Sequence, residues 1–218
     1  MKKVTIFCAA LCLALLLAAC GGKADYPVME PVALDALTLE TGESDTMSAQ
    51  FPAGEWFFDV SLTPVDFGIY DMETLTSETG TMNVNIILSG AYSGKLKQSD
   101  FDGVLKELKN SDMAEGMEIG VAEMRTLAGE PVGYVESTTT YTENMIDFYL
   151  ENSGITEEQL EAMGGREALL NAPPTRQIQI YAVVDGNIAI VTGTYYDDAS
   201  KERLLDVMNI LLQTAEVK

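Results

Sequence analysis

The 218 residues of this chain contain no histidine, so the side chains available for chemistry are carboxylates, hydroxyls, lysine amines and three cysteine thiols. Histidine is the commonest general base and the commonest transition-metal ligand in proteins. Its absence excludes Ser-His-Asp and Cys-His catalysis. The thiols belong to Cys8, Cys12 and Cys20. Since all three precede Gly21, the domain that follows can form no internal disulfide.

An apolar leader contains these cysteines. Lys2 and Lys3 give it a positive start, and residues 4–19 are apolar apart from Thr5. A membrane-spanning helix needs roughly 20 apolar residues. The shorter run, which ends in small residues, therefore predicts a signal peptide over residues 1–19.

The end of the leader, Leu17-Ala18-Ala19-Cys20, resembles the bacterial lipobox at all four positions. The resemblance implies that Leu17, Ala18 and Ala19 are read by a dedicated signal peptidase and that the Cys20 thiol carries a diacylglycerol. Two acyl chains give stable attachment to a membrane. We therefore predict a lipoprotein attached through Cys20 to the extracytoplasmic face of the cell membrane. The alternative is a plain secretory signal or an uncleaved anchor.

The chain is strongly acidic, with 13 Lys+Arg against 34 Asp+Glu and a net charge of −21. Removal of residues 1–19 takes away Lys2 and Lys3, which leaves 11 − 34 = −23 for the mature chain. Such a surface repels nucleic acid and anionic lipid headgroups. We therefore expect no nucleic-acid partner, and attachment to the membrane by the covalent lipid.

Metal and cofactor signals are weak. Oxygen ligands for Ca²⁺ could come from Asp185, Asp197 and Asp198, and thioether ligands for Cu(I) from Met113, Met117 and Met124. The spacing of an EF-hand loop is absent, and we assign Asp198 as the N-cap of the last helix and Asp185 to a turn. The methionines are typical core fillers. With no P-loop, dinucleotide fingerprint or nucleophile elbow, we predict no metal, no cofactor and no catalytic residue.

Aromatic side chains are the best candidates for ligand contacts. Trp56 is the only tryptophan and falls in a loop after the first predicted hairpin. Tyr141, Phe148 and Tyr149 lie beside or within an irregular segment further along. We predict that these four bind a ligand, with ordinary packing on a sheet face as the alternative.

Hydrophobic alternation predicts the strands that position these residues, over 37–41, 47–51, 65–71, 82–88, 119–127, 132–141, 176–184 and 188–196. Asp185-Gly186 is a strong hairpin signal between the last two strands. A helix is predicted after an N-cap at Ser99, with Asp102 in the capping-box position, and an amphipathic helix over 199–214 closes the chain. The order predicts an α+β fold, with one mostly antiparallel sheet covered by a mid-chain helix and a C-terminal helix.

Residues 20–33 have little periodicity and predict a flexible tether, with the domain over residues 34–218. Within it, residues 143–175 form a helical insertion between two strands. We predict that this insertion is a mobile flap over one end or face of the sheet and part of the partner-binding surface. The alternative is that it thickens the core.

The order of elements over roughly 34–214 resembles the PsbP/Mog1-like superfamily. The resemblance is carried by three turns, 51–56 with its Pro52 and Trp56, 127–131, and 183–187. It implies a non-catalytic binding or assembly module with an unknown envelope protein or ligand as partner, and the insertion departs from the family pattern. The alternative is a cell-envelope glycan hydrolase with paired carboxylates. A deep cleft with a buried carboxylate pair favours the hydrolase, and a shallow apolar groove under the insertion favours binding.

Overall fold

The computed structural model describes residues 25–61, 65–75, 81–110, 114–152, 156–162 and 164–218. The strands are β1 (Val28–Met29), β2 (Leu39–Glu43), β3 (Met47–Pro52), β4 (Trp56–Phe58), β5 (Phe67–Asp71), β6 (Asn83–Ala91), β7 (Met117–Leu127), β8 (Glu130–Thr139), β9 (Thr175–Val184), β10 (Asn187–Tyr195) and β11 (Glu216–Val217). The helices are α1 (Gln98–Asn110), α2 (Glu143–Asn152), α3 (Glu157–Ala162), α4 (Gly165–Leu170) and α5 (Asp198–Thr214). Short 3-10 turns occur at Leu34–Ala36 and Ala114–Gly116.

The large sheet has the strand order β1-β7-β8-β9-β10-β6-β5-β4. All neighbours in it run antiparallel except β1, which runs parallel to β7. The predicted α+β class with a mostly antiparallel sheet is therefore confirmed. The hairpin signal is confirmed as well, because β9 and β10 pair through a turn in which Asp185 and Gly186 have φ of 47° and 76°.

The first hairpin does not join this sheet, although one sheet was predicted. Strands β2 and β3 instead form a small sheet of order β11-β3-β2 with the last residues of the chain. The proline that ends β3, Pro52, has no N–H to donate to a longer ladder. The chain then turns at Gly54, which has φ of 75°, before it enters the large sheet as β4.

The main core lies between the large sheet and a layer made of α5 and the small sheet. Phe51, Trp56 and Phe67 are buried there, with Leu204 and Met208 of α5. Gly193 on β10 lets α5 approach closely, because a Cβ at this position would lie 2.8 Å from both Leu204 Cδ2 and Met208 Sδ.

The opposite face of the large sheet is covered by α1. Its Phe101 ring lies against Gly133 of β8, where an added Cβ would be 2.4 Å from Phe101 Cδ2. Phe101 joins Leu96, Met124 and Tyr181 in a second, smaller cluster. The predicted mid-chain and C-terminal helices thus cover opposite faces of one sheet.

Two predicted helix starts are wrong, that of α5 by one residue and that of α1 by two. The N-cap of α5 is Asp197 and not Asp198, because the Asp197 carboxylate accepts a hydrogen bond of 2.7 Å from the Ser200 amide and Ser200 completes a capping box. The Ser200 hydrogen bonds also lower the pKa of Asp197. Helix α1 begins at Gln98, so Ser99 lies inside the helix and does not cap it.

Part of the predicted tether is a strand. In β1, Val28 pairs with Thr126 and Met29 pairs with Leu127, and Met29 is buried. The Asn209 side chain of α5 donates a hydrogen bond of 3.3 Å to the carbonyl oxygen of Glu30. The chain is therefore fixed to the domain from about Pro27, seven residues earlier than the predicted start at Leu34.

The insertion, helices α2 to α4, joins two strands that are direct neighbours, since Thr139 pairs with Thr175. On α2, Met145 and Ile146 are buried. On α4, the Arg166 guanidinium contacts Glu143, Asp147 and Glu157 at 3.2, 2.8 and 3.1 Å, which ties the three helices together. The first turn of α2 therefore packs on the domain, and the mobility of the insertion stays a prediction.

Candidate functional site

A cavity of about 460 Å³ opens between α1 and the sheet face that faces it. We call it the α1 groove. Its floor is formed by Tyr181, Ile188 and Ile190, its wall by Phe101, Val104 and Leu108, and its rim by Ser89, Tyr92, Asp100 and Glu107.

The groove exists because α1 covers only part of this face. Phe101 fixes the helix over β7 and β8, so that β10 and β6, which lie beyond β9 in the sheet, are left open. Side chains alternate along a strand, so Ile188 and Ile190 point into the groove while Ala189 and Val191 enter the main core. The continuous apolar run over 188–191 is the sequence signal for a strand that is apolar on both faces.

The polar groups of the groove are few. At the rim, the Tyr92 hydroxyl donates to the Asp100 carboxylate, and this hydrogen bond raises the pKa of Tyr92. On the floor, the Tyr181 hydroxyl donates to Gln179 at 2.9 Å, and burial raises the pKa of Tyr181 to about 12. Tyr181 is thus neutral at physiological pH. The groove offers an apolar, uncharged floor and two carboxylates at its rim, Asp100 and Glu107, that can accept hydrogen bonds.

Outside the groove, the buried Asp71 and the partly buried Glu136 are each paired with a cation and do not form a hydrolase pair. Asp71 is fully buried and is bonded by the Arg203 guanidinium. Glu136 accepts two hydrogen bonds of 2.8 Å from Lys201 and one of 2.6 Å from Tyr134. Burial raises the pKa of Glu136, but the hydrogen bonds from Lys201 and Tyr134 outweigh burial, and the net pKa is lowered. A general acid for glycoside cleavage needs a raised pKa, so this geometry does not favour the hydrolase.

Of the predicted ligand-binding aromatics, neither Trp56 nor Tyr141 lines the α1 groove. Trp56 is buried in the main core, with the Arg203 guanidinium 5.8 Å from its ring centre. Tyr141 follows β8 and lies near Tyr196, where it adds to the effect of burial in raising the pKa of Tyr196. Trp56 is therefore a core residue at the start of strand β4. The sequence predicted a loop at this position, and for that reason Trp56 was predicted as a ligand contact.

Phe148 and Tyr149 lie on α2, but their side chains are not among those that the structure describes. Their predicted role in ligand binding stays a prediction. Cys20, together with Leu17, Ala18 and Ala19, lies outside the described residues as well, and its acylation stays a prediction.

Among the residues considered as calcium ligands, Asp185 has a structural role, because it accepts a hydrogen bond of 2.9 Å from the Val217 amide. In the described parts of the chain, no group of three or more cysteine, aspartate or glutamate residues is placed to hold a metal ion.

None of the helices described is both long and apolar enough to cross a membrane.

The sequence matches no protein-family model and no curated protein. Among solved structures, it is similar to cyanobacterial PsbP (CyanoP) from Synechocystis sp. PCC 6803, with 12% identity, a TM-score of 0.45, and coverage of 87% of this chain and 98% of that one. It is also similar to LpqN, which is involved in cell envelope biogenesis of Mycobacterium tuberculosis, with 14% identity, a TM-score of 0.43, and coverage of 87% and 90%. At these identities the similarity concerns the fold alone, and the PsbP/Mog1-like assignment stays a prediction.

Proposed function

We propose that this protein is a lipid-anchored extracytoplasmic binding module, without catalytic activity, that holds a neutral apolar molecule in the α1 groove. The groove is the observation that carries the proposal. Its volume of about 460 Å³ falls in the range of small-molecule sites, which are concave, mostly apolar and carry few polar groups. The neutral floor and the acidic chain disfavour an anionic ligand. A hydroxyl or amine of the ligand would donate to Asp100 at the rim.

Filling the groove should block binding. Ser89 lies at its rim and is exposed, so Ser89→Trp places a large ring in the opening with little cost in stability. We expect this variant to weaken binding of a neutral solvatochromic dye at least about tenfold, because the ring removes the apolar volume that a ligand would occupy. The measurement is a fluorescence titration of the dye.

The matched control is Ile87→Trp. Ile87 lies two residues away on the same strand and the same sheet face, is 46% exposed, and does not line the groove. Its dye affinity should equal that of the wild type. Equal dye affinities for the Ser89→Trp and wild-type proteins, with both folded by circular dichroism, would rule out the groove as the binding site.

The anchor is tested separately with Cys20→Ala. Without the thiol, no diacylglycerol can be attached, and we expect the chain to leave the membrane fraction or to accumulate as an unprocessed precursor. The check is fractionation together with the intact mass of the mature wild-type protein. A mature wild-type chain whose mass shows an unmodified Cys20 contradicts the anchor.

A further inference from the structure

The lysines of this acidic protein are concentrated on α1 and the loop before it. Residues 95–110 contain four of them, Lys95, Lys97, Lys106 and Lys109, against three acids, Asp100, Asp102 and Glu107, for a net charge of 4 − 3 = +1. The rest of the mature chain then carries −23 − 1 = −24. We call the exposed surface of α1 and residues 95–97 the α1 face.

The fold leaves most of these lysines free. Elsewhere among the described residues, five of the six cations are each in an ion pair, namely Arg125, Arg166, Lys201, Arg203 and Lys218. Arg176 is the exception. On the α1 face only Lys95 is paired, with Glu130 at 2.8 Å. Lys97, Lys106 and Lys109 are exposed and pair with no carboxylate in the described part of the chain. Unpaired cations on an otherwise acidic surface mark a face that fits an anionic partner.

The amino-terminal chain leaves the domain at the same face. Tyr26 packs against the cluster beneath α1 that includes Leu96 and Phe101. Cys20 and Tyr26 are six positions apart in the sequence, and six residues span at most roughly 20 Å when fully extended. A lipid on Cys20 thus keeps the α1 face close to the bilayer.

The remaining acids need not prevent contact of this face with an anionic bilayer. The Debye length is about 8 Å at physiological ionic strength. A domain of this size has a radius of gyration of roughly 16 Å, so carboxylates on the far side are screened while lysines at the surface are not. The net negative charge of the domain therefore repels an anionic bilayer less at the α1 face than at its other faces.

We propose that the α1 face is the surface on which the anchored domain rests against anionic phospholipid headgroups, with Lys97, Lys106 and Lys109 as the contacts. This rests on the lipid anchor of the proposed function and adds the orientation of the domain. It also places the opening of the α1 groove at the bilayer surface.

The test compares the distance from the bilayer of two faces of the mature acylated protein in vesicles. Gly103→Cys puts a thiol on α1, where an added Cβ meets nothing within 4 Å. Thr41→Cys puts one at an exposed position of the small sheet, which lies with α5 on the opposite face of the large sheet from α1. Because Cys20 is acylated and the leader cysteines are removed, each variant has one free thiol for a donor dye. Energy transfer is measured to headgroup-labelled lipid in vesicles of phosphatidylglycerol and phosphatidylcholine, and of phosphatidylcholine alone.

We expect higher transfer from position 103 than from position 41 in the anionic vesicles, and a smaller difference in the neutral ones. Lys106→Gln with Lys109→Gln should lower the ratio of docked to undocked domains by up to roughly 30-fold, since each lysine near an anionic surface contributes about 1 kcal/mol. The control pair Arg176→Gln with Lys218→Gln changes the net charge equally, away from α1, and should have no effect.

Equal transfer from the two positions, or no dependence on anionic lipid, overturns the proposal. Flotation of the protein with the vesicles separates this failure from that of the anchor. A protein that floats without orientation keeps the anchor and loses the α1 contact, and a protein that does not float loses both. Dye binding to the groove is independent of either result.

Discussion

Replacing Phe101 with alanine is expected to destabilise the domain by about 3–5 kcal/mol, the usual cost of a large aromatic lost from a core. Phe101 is fully buried, lies against Gly133 and has its ring centre 6.1 Å from that of Tyr181. It is the side chain that fixes α1 to the sheet. The free energy of unfolding is measured by denaturant titration, and the same protein should lose dye binding because the wall of the groove is no longer held in place.

A double-mutant cycle with Gly133→Ala separates this contact from general damage to the core. Alone, Gly133→Ala pushes a methyl group into the Phe101 ring and should cost about 1–3 kcal/mol. In the Phe101→Ala background the ring is absent, and most of that cost should disappear. Gly193→Ala serves as the control, because it contacts Leu204 on the opposite face of the sheet and should add to Phe101→Ala within about 0.5 kcal/mol. Additive effects of the 101 and 133 changes would mean that α1 is not seated through this contact.

Arg203→Ala is expected to cost about 3 kcal/mol, because it leaves the fully buried Asp71 carboxylate without its cation. From the side chains and amides of the described residues, the Asp71 carboxylate then keeps the hydrogen bond of 3.0 Å from the Thr74 amide. The substitution also removes the cation above the Trp56 ring. Thermal and denaturant unfolding give the change in stability.

Arg166→Ala is the matched control. Arg203 and Arg166 each contact three carboxylates, but the partners of Arg166 are all exposed. Exposed ion pairs contribute little, so its effect should be far smaller. Adding Asp71→Asn to Arg203→Ala should restore part of the lost stability by removing the unpaired charge. A loss for Arg203→Ala no larger than that for Arg166→Ala would show that Asp71 does not depend on its partner.

Local signals predicted the elements whose cause is local. Alternation over 176–184 and 188–196, with Asp185-Gly186 between them, describes a hairpin that the turn residues dictate. The final helix follows from its apolar stripe in the same way. Strand β1 could not be predicted in this way, because two residues are too few to show the hydrophobic alternation of a strand. The partition of strands into two sheets also depends on the return of Glu216–Val217 to β3, which no local pattern signals.

The candidate site was harder to predict than the fold. Trp56, the only tryptophan, is the kind of residue often found at binding sites, yet its burial is decided by α5, more than 140 positions later. The α1 groove depends on how far one helix covers a sheet, and that is set by the fit of Phe101 on Gly133. The continuous apolar run over 188–191 was the one sequence signal that β10 has two apolar faces.

If the chain is anchored through Cys20 as proposed, strand β1 limits how far the domain can stand from the membrane. With β1 in place, the seven positions from Cys20 to Pro27 span at most roughly 24 Å. If tension on the anchor separated β1 from β7, the span would run from Cys20 to Leu34, and its greatest length would double to roughly 48 Å. Two strand residues, one buried methionine and the Asn209 hydrogen bond to Glu30 resist that pull. Under tension, separation of β1 from β7 would therefore let an anchored domain move further from the bilayer before its core unfolds.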